Sequence, residues 1–128
     1  MSGPGQALLL VALGGAAGSV LRWAMAGAVQ RWSGSLFPWG TFSVNVLGAL
    51  LIGFISALAI ERAALPPAMR QLLIVGVLGG FTTFSTLSYE LFSLLRDGQW
   101  LAGALYAGGT LILGLAATIT GFALGLRL

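Results

Sequence analysis

The chain has 128 residues, 58% of them hydrophobic and 7% charged, with a mean hydropathy of +0.99, values that exclude a soluble globular domain and describe an integral membrane protein. Six arginines against Glu61, Glu90 and Asp97 give a net charge of +3, but no basic run exists, so nucleic acid is not implied as a partner. Cysteine and histidine are both absent, which excludes disulfides, thiolate or His-ligated metals and a His general base.

A helix crossing the hydrocarbon core needs roughly 20 mostly apolar residues. Four stretches meet that need, at residues 6–29, 40–60, 71–95 and 101–126, so residues 1–128 are expected to form one four-helix transmembrane domain. No basic region precedes the first stretch, and Gln6 onward reads as a mature span rather than a cleaved signal. The connection "QRWSGSLFPW" carries the turn formers Gly34 and Pro38, "ERAALPPAMR" is expected to stop the second helix at Pro66 and Pro67, and "RDGQ" is short. Trp32, Trp39 and Trp100 lie beside these connections, as in an interfacial aromatic belt.

With four spans, both termini and the middle connection share one face, which holds Arg62, Arg70 and Arg127. The other face holds Arg31 and Arg96, plus Arg22 if it reaches that interface. This balance gives insertion little to orient it, so copies are expected to insert both ways round and pair as an antiparallel dimer, unless one arginine or the first helix decides. Glycines recur four apart at Gly14 and Gly18, Gly76 and Gly80, and Gly121 and Gly125. That spacing favours close helix packing in lipid.

Polar groups in hydrocarbon are costly unless partnered, which makes them the place to seek function. No carboxylate lies near the centre of any span. The second span offers Thr41, Ser43 and Asn45; the fourth offers Tyr106, Thr110, Thr118 and Thr120. Tyr106, Thr110, Gly114 and Thr118 form a stripe expected to face protein or water. The third span contains "GVLGGFTTFSTLS", whose glycines and β-branched threonines are poor helix material. It predicts either an interruption around residues 79–83, with freed carbonyls able to bind a cation and a new helix end able to meet an anion, or a continuous helix whose hydroxyls bond back one turn. Phe81 and Phe84 would share a face of a regular helix, presenting ring edges to an anion or filling space against lipid. Arg22 either snorkels to the interface beside Trp23 or puts a fixed positive charge in an anion-gathering vestibule. Asn45 is either interhelical glue or a pore donor.

The segments "GAAGSVLRW", "GTFSVNVLGALLIG" and "GVLGGFTTFSTLSYE", each in its own span and in this order, resemble the small fluoride channels of the Fluc or CrcB family over nearly the whole chain. The resemblance implies a passive fluoride exporter of the cell membrane: an antiparallel, dual-topology homodimer with two pores and a structural sodium ion on its twofold axis. It assigns that sodium to the main-chain carbonyls of Gly79 and Thr82. It places Asn45 and Phe84 in the pore, starts a polar track at Tyr106 and Thr110, and matches Arg22. Phe81 is not a pore position by this match. With the neighbouring polar groups, the candidate pore set is Arg22, Thr41, Asn45, Thr83, Phe84, Ser85, Thr86, Leu87, Ser88, Glu90, Tyr106 and Thr110. Two positions depart from the family pattern. Leu87 stands where a second phenylalanine is expected, and Gly114 where a later hydroxyl is. Either the site tolerates an aliphatic residue, or a different partner subunit supplies the ring in a heterodimer.

Two other classes compete. A small proton-coupled multidrug antiporter also has four short helices, but it needs a central carboxylate. An intramembrane hydrolase needs an activating base that Ser85 and the other hydroxyls lack.

Overall fold

A computed structural model describes residues 3–128. Among them every regular element is helical. α1 is Pro4–Ser33, α2 is Trp39–Ser56, α3 is Pro67–Arg70, α4 is Gly79–Phe81, α5 is Ser85–Arg96 and α6 is Trp100–Leu126. π-helix extends α2 through Ala57–Glu61 and joins α3 to α4 through Gln71–Leu78. Four spans are long and apolar enough to cross a membrane: Pro4–Ser33, Trp39–Glu61, Pro67–Arg96 and Trp100–Leu126.

Each begins before or ends beyond the stretch expected from hydropathy. A span of 30 residues is ~45 Å long at 1.5 Å per residue, enough to cover a bilayer of about 40–45 Å with its headgroup layers. Hydropathy reads only the oily middle. The first span starts on Pro4, whose missing N–H costs nothing there, and closes at Gly34, which takes the left-handed φ of 60°.

The prolines act differently from expectation. The second span ends at Glu61, before either proline, and Pro67 opens the third span as its first helical residue. Arginines tie this connection down. Arg70 donates to the Ala59 carbonyl at 2.9 Å and Arg62 to the Leu126 carbonyl at 3.0 Å, meeting carbonyls at helix C-termini that have no intrahelical donor.

Two helix pairs organise the bundle. α2 lies along α6, and α1 lies along the π segment and α4. The glycine repeats sit at these contacts. A Cβ on Gly14 would stand 2.9 Å from the Gly76 Cα and 2.5 Å from the Leu72 carbonyl, and one on Gly80 would stand 2.6 Å from the Gly15 carbonyl. Gly121 meets the backbone of Leu50 and Phe54 on α2, and Gly125 the Phe54 carbonyl and the Ala57 side chain. Backbone is in contact with backbone, which only side chains of hydrogen allow. Trp32, Trp39 and Trp100 are exposed at span ends.

Candidate functional site

Helical backbone stops after Phe81 and resumes at Ser85. Thr82 is extended, with φ −89° and ψ 157°. Main-chain groups around that step need other partners, and α1, α2 and the step itself supply them. The Thr83 N–H, which would reach the Gly79 carbonyl in a continuous helix, donates to Asn45 Oδ1 at 2.9 Å, while Asn45 Nδ2 donates to the Thr83 carbonyl at 3.0 Å. The Thr86 N–H, which would otherwise point at the Thr82 carbonyl, donates to Thr83 Oγ1 at 3.2 Å. Arg22 Nε donates to the Gly80 carbonyl at 3.0 Å. Asn45 thus acts as a surrogate peptide group, and Arg22 holds the third span as well as lining a cavity. Neither of the two roles read for Arg22 in the sequence included that bond.

One cavity of about 540 Å³ opens beside this step. It brings together Asn45, Thr83, Phe84, Leu87 and Thr110 from the candidate pore set with Gly79 and Thr82, and is completed by Gly114 and Thr118. The Thr110 hydroxyl is buried and, among the described residues, has no hydrogen-bond partner. An unpaired donor of this kind is costly in a dry interior. Thr118 is spent on structure instead, donating to the Ala49 carbonyl of α2 at 3.0 Å. The hydroxyl stripe of α6 therefore runs beside α2, as its avoidance of lipid required.

A second cavity of about 450 Å³ holds Arg22, Thr41, Thr83, Thr86 and Glu90, together with Gln30 and Arg31. Thr83 borders both cavities. Tyr106 is 1% exposed and donates its hydroxyl to Glu90 Oε1 at 2.8 Å, so it forms wall rather than open lining.

Two expectations change. Phe81 is buried at 6% exposure whereas Phe84 is 78% exposed; the extended residue between them turns the two rings to different faces. Ser85 and Ser88 are exposed and line neither cavity, because on α5 they fall on the outward face with Tyr89 and Phe92. Gln30 and Phe37 were not singled out in the sequence, yet they shape the second cavity's surroundings. The available signal was a lone amide at the end of an apolar span followed by a turn-rich connection.

The larger cavity offers an amide side chain, hydroxyl residues and a phenylalanine, and among the described residues no carboxylate lines it, while Arg22, Arg31 and Glu90 border the second. Such a lining can replace the water of a small anion without holding it by full charge. The family model described as "CrcB-like protein, Camphor Resistance (CrcB)" matches residues 9–122. A protein of Nitratidesulfovibrio vulgaris named Fluoride-specific ion channel FluC is 49% identical over 120 residues, covering 94% of this chain and 97% of the relative. Proteins of the same name from Aquifex aeolicus and Chlorobaculum tepidum are 51% and 53% identical, covering 90% and 89% of this chain and 93% and 90% of theirs. With the match reaching from α1 to α6, through the extended step and both cavities, the chain belongs to the CrcB-like family.

Proposed function

We propose that this chain is the subunit of a fluoride-selective passive channel in the cell membrane that exports fluoride from the cytoplasm, and not an enzyme. The observation that carries the reading is the cavity bordered by Asn45, Thr83, Phe84 and Thr110, the last with a buried hydroxyl that has no hydrogen-bond partner among the described residues. Fluoride is small and strongly hydrated, so a selective path must offer closely spaced donors in place of water, and neutral donors let the ion leave again. The physiological logic is that HF enters as a neutral weak acid, dissociates, and returns as the anion.

Within this reading the interruption of the third span lies at membrane depth, where irregular backbone is tolerated only when it is buried in protein or lines a wet cavity. Two copies assemble antiparallel. The balanced arginines support this, as does the exposure of Gly79 and Phe84, which leaves the larger cavity open on one side of a single subunit. A compartment-sensitive reporter fused to the C-terminus tests it; signal from one compartment alone argues against dual topology.

The Gly79 and Thr82 carbonyls suit a hard cation such as sodium. They are the two whose helical donors have been redirected to side-chain acceptors, Asn45 Oδ1 and Thr83 Oγ1, and carbonyl oxygen is the ligand such ions prefer. Sodium there would neutralise carbonyl dipoles and join the two subunits at the twofold axis. The pore residues proposed are Arg22, Thr41, Asn45, Thr83, Phe84, Thr86, Leu87, Glu90, Tyr106 and Thr110, with Ser85 and Ser88 reaching the path only from the face a second subunit would cover.

Purified protein in liposomes loaded with fluoride or chloride tests the function. Fluoride is expected to leave down its gradient while chloride stays. Retention of fluoride rejects the reading, and proton-coupled uptake of an organic cation would favour the antiporter instead.

A further inference from the structure

We propose that Gln30 is a positioning residue that keeps the Glu90 carboxylate from opposing anion entry, an inference that rests on the channel function above. Both ends of its carboxamide are engaged. Nε2 donates to the carbonyls of Ser35 at 2.8 Å and Phe37 at 3.0 Å, and Oε1 accepts the Gly40 N–H at 2.9 Å. One side chain of α1 therefore clasps the connection to α2 at three points.

The clasp holds Phe37. Its ring meets the Tyr106 ring edge-on, with centroids 5.4 Å apart and planes at 77°, a favourable aromatic geometry. Tyr106, seated by that contact, gives its hydroxyl to Glu90. A line of direct contacts thus runs from Gln30 through Phe37 and Tyr106 to Glu90.

The consequence is electrostatic. Glu90 borders the cavity that also contains Arg22 and Arg31, whose positive charge draws anions to the mouth. A carboxylate anchored on a phenol is kept from those guanidinium groups. Freed from it, the carboxylate turns toward Arg31 or the terminal nitrogens of Arg22, whose Nε is held by Gly80, in a charge-assisted pair, and the attraction for fluoride is weakened. Gln30 and Glu90 also both border an adjoining cavity of about 430 Å³ with Phe37 and Asp97.

Fluoride efflux from liposomes is compared for the parental chain, Gln30→Ala, Glu90→Gln and the double variant. Gln30→Ala is expected to slow efflux about tenfold in the parental chain, the scale on which a mouth charge alters anion capture, and to slow it less than about twofold in the Glu90→Gln background, whatever rate that variant starts from, because a neutral amide cannot cancel the arginines. Gln30→Met fills the same space without any of the three bonds. It replaces Gln30→Ala in the same cycle if the alanine variant is poorly folded. Gln30→Ala at the parental rate, or an equal slowing by Gln30→Ala in the parental and Glu90→Gln backgrounds, overturns the inference, since damage to the fold would slow both. A parental chain that releases no fluoride overturns the channel function itself, and this inference with it.

Discussion

Asn45 is where the local architecture and the proposed conduction meet, so its substitutions separate the two. Asn45→Asp keeps the acceptor for the Thr83 N–H but loses the donor to the Thr83 carbonyl. An acceptor left unsatisfied in a fully buried place costs about 1–3 kcal/mol, an upper bound here because Asn45 and Thr83 are only half-buried. The new charge acts on the anion directly: at ~4 Å and an effective dielectric of about 20, two like charges repel by about 4 kcal/mol. A barrier raised by that amount slows passage by about three decades, at 1.36 kcal/mol per decade. Asn45→Leu instead leaves both the N–H and the carbonyl of Thr83 without Asn45, a destabilisation of about 2–6 kcal/mol if the two penalties add, with no charge introduced. Fluoride efflux and thermal unfolding are to be measured on the same preparations. Asn45→Asp is expected to be nearly silent to fluoride while losing less stability than Asn45→Leu. Efflux within twofold of the parental rate for a folded Asn45→Asp protein would remove Asn45 from the anion path and leave it as interhelical glue.

Gly14→Ala is expected to lower thermal stability by more than 1 kcal/mol, because its Cβ meets backbone at Leu72 and Gly76 that cannot swing aside. Gly5→Ala, with nothing within 4 Å of its Cβ, should be neutral or gain up to about 1 kcal/mol from helix propensity; equal effects at the two sites refute the packing argument. Leu87→Phe introduces a ring edge into the larger cavity and is expected to raise fluoride efflux severalfold, whereas an unchanged or lower rate shows that the aliphatic lining already serves this pore. Replacing sodium by N-methylglucamine throughout should reduce both efflux and the thermal stability of the detergent-solubilised assembly; indifference of both to the cation would dismiss the Gly79 and Thr82 carbonyls as a sodium site.

How legible the molecule is from its sequence depends on which interaction is asked about. The four spans follow from hydropathy, and the glycine contacts from spacing, because membrane helices have few alternatives to close packing. Helix ends are less legible. Pro66 and Pro67 are helix breakers by composition, but proline is also a good first residue, and only the loop geometry decides that Pro67 starts a helix. The π-helical runs Ala57–Glu61 and Gln71–Leu78 leave no mark, since one extra residue per turn barely alters an all-apolar pattern. At the site, the composition of residues 79–88 announces weak helix, yet the residues that complete the local backbone, Asn45 and Arg22, lie 38 and 58 positions away. Long-range pairing of a side chain with a main-chain group has no periodicity to read. The clasp made by Gln30 is local, within ten residues, but an amide beside a turn is too common to signal by itself.

The distribution of partners at the extended step explains why so few polar residues suffice. A gap in a membrane helix strands donors and acceptors that lipid cannot satisfy. Here α1 supplies Arg22 for one carbonyl, α2 supplies both ends of Asn45 for Thr83, and the Thr83 hydroxyl caps the N–H of Thr86 in α5. Each side chain replaces a specific backbone partner, Asn45 two of them, and the Gly79 and Thr82 carbonyls are among those whose helical donors have been drawn away. Gly79, Thr82, the exposed Phe84 and Thr110, whose hydroxyl has no partner among the described residues, all border the larger cavity. The unmet polar capacity is therefore concentrated beside one cavity, where the proposed anion path would draw on it.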